Sequence, residues 1–392
     1  LRMPVPEIFM EDVRFYIATW NLAPILDASN WTNFRSSSLL WGANTVAYCA
    51  MTAKSFARAD GSQLHEGDTL VQGDLAAVLA AIAAQGPRGF YEGPVAEKLA
   101  KAVRDAGGIM TTDDLKSYAA ILRAPMRGTY RGYDIVSMPL PSSGGTVLIE
   151  TLNILEGFPL GDMKQGSAAS LHLMIEAMKR AYADRARYLG DPAFIEAPTN
   201  LLIDKEYAAR QRASIDLARA TPWTDAAPAK PQREGSNTTH YSVVDSRGNA
   251  VSNTYTLNFP YGVGLVADGT GILLNNELDD FTAAPGASNA FGLVGFEANL
   301  PGPGKRPLSS MSPTIVLKDG KPVLAAERVP EQGDAGQHDH RALGVGVKAS
   351  EPIRKHTRRP VHQFQGGDGL AIDRECVPIA YLAGIEDFHV TF

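Results

Sequence analysis

Cysteine is almost missing from this 392-residue chain, which has two, Cys49 and Cys376. They lie far apart and in no metal-ligand spacing, which excludes a disulfide framework and a cysteine zinc site. Long apolar runs are missing too: none nears the roughly 18 residues of a membrane-spanning helix. Nor is there an excess of basic charge. With 37 Lys and Arg against 43 Asp and Glu, the formal charge is -6, so no overall positive field is available for a nucleic-acid backbone. The opening Leu1 to Pro6 has one basic residue and no apolar stretch after it, so no secretory signal is read there, and the compartment is left open. No internal repeat is found. What the chain does have is length, enough for two domains or one large one with a substantial core.

Periodicity becomes legible from Gly61 onward. Asp74 to Gln85 sets Leu75, Val78, Leu79 and Ile82 on one helical face and stops at Gly86-Pro87. A second helix starts with Pro94 in its first turn and runs to Gly107-Gly108, and Thr111 to Asp114 has the form of a capping box opening a third. Ser167 to Tyr188 is the longest helix, with Leu171, Met174, Ile175, Met178 and Tyr182 as the expected core stripe. The proline-bearing stretch from Thr221 to Glu234 reads as a boundary or exposed loop. After it, Thr239 to Val244 and Ala250 to Leu257 form one predicted hairpin. Ser312 to Leu317 and Pro322 to Ala325 form another around Asp319-Gly320. Helices followed by antiparallel strands predict a layered α/β architecture.

The segment Asn237-Thr238-Thr239-His240-Tyr241-Ser242 places a small hydroxyl residue where a loop meets a strand. A threonine hydroxyl becomes a nucleophile when a base removes its proton, and an N-terminal threonine supplies that base from its own α-amine. This chemistry requires cleavage before Thr238. Read alone, the segment fits the plain start of a strand better than a nucleophile.

Four ordered blocks widen the pattern: Thr238 to Asp245, Thr256-Leu257-Asn258, Gly271 to Phe281, and Lys305 to Thr314. Upstream stand Gly67 to Gln72, Met138 to Gly145 and Tyr182 to Arg185. Together these resemble the gamma-glutamyltranspeptidases over about Asp60 to Leu324. The resemblance implies an α/β fold of the N-terminal nucleophile hydrolase type, a four-layer αββα sandwich. It also implies a precursor that cuts itself between Asn237 and Thr238 into a large-subunit-like region, 1–237, and a small-subunit-like region, 238–392. Thr238 is then the nucleophile and Thr256 the hydroxyl that assists it. Asn258, Glu277 and Asp280 face the α-amino group of a γ-glutamyl substrate, and Ser309 and Ser310 its α-carboxylate. Pro285 to Gly295 would be a lid, with Phe291 as its aromatic gate. The implied partners are a glutathione-like γ-glutamyl donor, an amino acid or peptide acceptor, and the chain's own cleaved fragment. No cofactor and no metal are implied, and the location would be periplasmic or extracellular.

Two departures accompany the match. The family's Pro-Gly-Gly turn, whose N–H groups form the oxyanion hole, has no counterpart after Leu324, where the chain reads Ala325-Ala326-Glu327-Arg328. No segment before Asp60 matches the part of the family that carries a carboxylate-binding Arg, and Arg2, Arg14 and Arg35 do not stand in for it. In the tail, His338-Asp339-His340 lacks further spaced metal ligands, and the basic run Arg354 to Arg359 reads as solvated surface. The alternatives are a cephalosporin or glutaryl acylase of the same family and an inactive truncated or frame-shifted member.

Overall fold

The computed structural model describes residues 2–4, 68–222, 238–259 and 261–326. In chain order the elements are β1 (Arg2–Pro4), β2 (Thr69–Val71), α1 (Gly73–Gln85), α2 (Arg88–Tyr91), α3 (Gly93–Asp105) and α4 (Thr112–Ser117). Next come β3 (Met126–Tyr130), β4 (Tyr133–Ser137), α5 (Gly144–Leu155), α6 (Ala168–Tyr188), α7 (Thr199–Leu202) and α8 (Lys205–Ala213). The remaining strands are β5 (Thr238–Val244), β6 (Ala250–Thr256), β7 (Val266–Ala267), β8 (Ile272–Leu273), β9 (Thr314–Lys318) and β10 (Lys321–Ala326), with 3₁₀ turns at Glu277–Asp280 and Glu297–Asn299 between β8 and β9. Two compact units result. One holds residues 1–122, 235–237 and 256–276, and the other 123–234, 238–255 and 277–392.

In the first unit the helix signals act as read. Pro94 lies in the first turn of α3, which buries Ala96, Leu99 and Ala100. Thr111 caps α4: its hydroxyl accepts from Asp114 N–H at 3.2 Å, and its own N–H donates to the Asp114 carboxylate at 2.7 Å. The face expected for α1 is shallower than its spacing suggests, because Val78 is buried while Leu79 is exposed.

The second unit is built on an antiparallel sheet of order β10-β9-β4-β3, with Ile135 opposite Val316 and Val136 opposite Ile315. Both of its hairpins turn through two residues of positive φ, Arg131-Gly132 and Asp319-Gly320, the geometry that matches strand twist. Every residue of α5 is buried, and with Tyr130, Ile135, Leu173 and Val316 it forms the main core.

The long helix α6 corrects an expectation. Leu171 and Ile175 are exposed, and the buried face is Ser170, Leu173, Glu176, Ala177, Ala181, Asp184 and Arg185. Small residues let α6 lie close to α5, and the charged ones are buried because each has partners. Glu176, for instance, accepts from Lys179, Arg180 and Thr221. Helices α5 and α8 and strands β3 and β4 were not anticipated from the pattern. The predicted boundary beyond Pro222, and all of the tail after Ala326, lie outside the described residues.

Candidate active site

The second unit brings four of the expected site residues into one polar cluster. The loop after β4 runs from Met138 to Ser143 and enters α5 through Gly144 and Gly145. Both glycines are required by close approach. A Cβ on Gly144 would lie 2.4 Å from the Met311 carbonyl oxygen, and one on Gly145 would lie 2.2 Å from that of Met138. The loop is thereby pressed against residues 309–311. Ser309 N–H donates to the Pro141 carbonyl at 3.0 Å, and the Ser309 carbonyl accepts from Ser143 N–H and from Ser143 Oγ, both at 2.8 Å.

Ser309 Oγ accepts from Met311 N–H at 3.0 Å, and Ser310 Oγ accepts from Arg185 Nη2 at 3.1 Å. Each hydroxyl therefore receives a hydrogen from the protein and keeps its own to give. Both serines are half-buried, so two adjacent O–H donors suited to an anion lie within reach of solvent.

Glu277 and Asp280 sit on a single 3₁₀ turn, Glu277–Asp280. Burial raises the Glu277 carboxyl to about 7, with the Asp280 charge adding to the rise. Burial likewise raises Asp280 to about 6; the Arg185 charge opposes this and Asp279 reinforces it. Two carboxylates held above their ordinary range are suited to a cation, whose charge would favour their ionised forms. The loop expected to act as a lid is a small antiparallel turn with Ser288 opposite Val294. It is tied to the acidic 3₁₀ turn, since Ala290 N–H donates to Asp279 Oδ2 at 3.2 Å and Asn289 Nδ2 to Asp280 Oδ1 at 3.4 Å.

Thr238 is the first residue of β5 and is half-buried. On the same strand His240 meets Thr254 Oγ1 at 2.9 Å and Ser242 Oγ at 3.0 Å. Asn237 lies outside the described residues. Thr256 and Asn258 belong to the first unit, where Asn258 N–H donates to Thr256 Oγ1 at 2.9 Å. Asn258 adopts φ +72°, and its Nδ2 donates to the Asn276 carbonyl at 3.1 Å. Asn276 is thus a buried backbone clamp, its Oδ1 accepting from Phe259 N–H at 2.9 Å.

Comparison with known proteins decides the family. The gamma-glutamyltranspeptidase profile matches residues 19–326. The chain belongs to the gamma-glutamyltranspeptidase family. The match begins well before Asp60, which corrects the expectation that the family pattern is absent there, and it ends within two residues of Leu324. The glutathione hydrolase proenzyme of Escherichia coli strain K12 is 52% identical over 263 residues, 67% of this chain and 45% of that protein. The acylase ACY 1 proenzyme of Pseudomonas sp. strain SE83 is 40% identical over 265 residues, 68% of this chain and 45% of that protein. The chain thus spans about half the length of the curated relatives it matches. The crystal structure of cephalosporin acylase from Bacillus halodurans shares the fold, with a TM-score of 0.61 at 24% identity over 83% of this chain and 52% of that one.

Two residues of this cluster were missed in the sequence, Arg185 and Ser143. Arg185 continues the row Ala177, Ala181 at i+4 spacing on the buried face of α6. An arginine in line with small core residues is the signal that would have marked it.

Proposed function

We propose that this chain is a self-cleaving γ-glutamyl-transferring enzyme that hydrolyses glutathione-like donors. The observation that carries the reading is the pairing, in one unit, of two serine hydroxyls set to donate with two carboxylates held near neutrality. A carboxylate and an ammonium on one carbon, the head of a γ-glutamyl group, are the charges such a pair would recognise. Thr238 Oγ would first attack the carbonyl of Asn237, passing the acyl group from nitrogen to oxygen, and water would release the ester. The freed α-amine of Thr238 would then take the hydroxyl proton as Oγ attacks the γ-amide carbon. It returns that proton to the departing amine. Water acting on the acyl-enzyme yields glutamate, and an amino acid or peptide acceptor yields a transfer product. Thr256 and Asn258 would support the nucleophile and the ammonium, and the 285–295 turn with Phe291 would exclude water. The cleaved pieces would remain paired as a heterodimer.

Loss of one oxyanion donor costs about 10²–10³ in rate, so without the Pro-Gly-Gly turn a slow enzyme is expected. A glutaryl acylase is the second reading, favoured by the likeness to acylase ACY 1. A glutaryl group has no ammonium to meet Glu277 and Asp280, which supports the γ-glutamyl donor instead.

The test is a denaturing gel with intact-mass and N-terminal analysis beside Thr238→Ala. Two fragments are expected, the smaller spanning residues 238–392 with Thr238 at its N-terminus, and one band in the variant. One intact band in both would overturn the reading.

A further inference from the structure

Arg185 lies on the buried face of α6 with 4% of its surface exposed, too deep to meet a ligand directly. Its guanidinium donates in two directions, through Nε to Ser143 Oγ at 2.9 Å and through Nη2 to Ser310 Oγ at 3.1 Å. Ser143 in turn donates to the Ser309 carbonyl at 2.8 Å. One side chain thus reaches both serines of the pair, Ser310 through its hydroxyl and Ser309 through Ser143. Its charge is also felt at Asp280. Arginine has five N–H donors and no acceptor, so a hydroxyl that meets it is obliged to accept and to send its own hydrogen elsewhere.

We propose that Arg185 is a positioning residue for the subsite that holds a ligand's α-carboxylate. Through Ser143 it holds the Ser309 backbone in place, and through Ser310 it turns that hydroxyl's hydrogen outward, beside the Ser309 hydroxyl that Met311 N–H orients. The proposal rests on the reading of Ser309 and Ser310 as an anion site. Lysine at this position would keep the charge but not the planar fork that reaches two hydroxyls at once. Ser143→Ala would keep the guanidinium and remove one of its anchors.

The test is calorimetric titration of the full chain with L-glutamate and with 4-aminobutyrate, the same molecule without its α-carboxylate. It compares the unaltered protein with Arg185→Lys and Ser143→Ala. For both variants L-glutamate affinity should fall about tenfold, the scale of a misaligned hydrogen bond to a charged group. The affinity for 4-aminobutyrate should change less than about twofold. An equal loss for both ligands, or no loss for either, overturns the positioning role while leaving the γ-glutamyl reading intact. Failure of the unaltered chain to bind L-glutamate removes that reading, and the subsite with it. If Arg185→Lys does not fold, Ser143→Ala carries the comparison. If neither folds, the role is structural and the proposal fails.

Discussion

Glu277 and Asp280 are held partly protonated near neutral pH by burial, and the sign of that shift has two consequences. The folded chain keeps protons that the unfolded chain has released above its ordinary carboxylate pKa. The stability tied to those protons is therefore complete in acid and is lost as pH rises through about 6 to 7. Glu277→Gln, which cannot ionise, should raise the melting temperature at pH 8 by about 2–4 °C and leave it unchanged at pH 4.5, as read by calorimetry. An ammonium ligand selects the ionised carboxylates, so L-glutamate affinity should climb between pH 5.5 and 7.5 and climb less in the variant. These carboxylates and the serine pair were singled out in the sequence through the family resemblance, whose blocks contain them. Arg185 stood in a quoted motif but had no assigned role, because its meaning depends on Ser143 and Ser310, 42 and 125 residues away.

Helix α5 shows why elements differ in legibility. The hairpins were readable from local chemistry, Asp319-Gly320 supplying the two positive-φ residues that a tight turn needs. Helix α5 is buried on every side, its polar residues Thr146, Glu150, Thr151 and Asn153 included, so the polar positions that would mark a solvent face in the sequence mark none here. Its one acid, Glu150, looks like a surface residue in the sequence. It is fully buried, and burial together with the neighbouring Asp184 raises its pKa well above the ordinary carboxylate range. Asp184 also accepts from Tyr207 Oη at 2.6 Å, so this polar knot joins α5, α6 and α8. The start of α5 leaves no room for a side chain. Gly145→Ala would drive a methyl into the Met138 carbonyl, and about 1–3 kcal/mol of destabilisation is expected in urea unfolding, typical of overpacking. Gly73→Ala, at the start of α1 with nothing within 4 Å of the added methyl, should change stability by less than about 0.5 kcal/mol.

At the scale of the whole chain, the family profile reaches from residue 19 to residue 326, and the matched relatives are about twice as long as the matched region. Strands β5 and β6 alternate cleanly. His240, Ser242 and Thr254 share hydrogen bonds on one face, while Tyr241, Val243, Val251 and Tyr255 are 47 to 58% exposed on the other. An apolar stripe of this kind binds dyes and promotes self-association. The chain should enhance the fluorescence of a naphthalene-sulfonate dye, and Val243→Lys with Val251→Lys should abolish most of that signal without lowering the melting temperature. An unchanged signal would show that the stripe is covered.

The valence of one buried group sets the direction in which Ser310 can bond. A guanidinium has hydrogens to give and no lone pair to offer, so the bonds from Arg185 to Ser310, and through Ser143 to the Ser309 carbonyl, run in a single direction. With Met311 N–H orienting Ser309 in the same sense, an acid group arriving at the proposed site would meet hydrogens already turned toward it. An α-amide in its place would set its own hydrogens against them. Under the proposed role, discrimination between acid and amide would rest in part on a side chain too deep in the protein to touch either one.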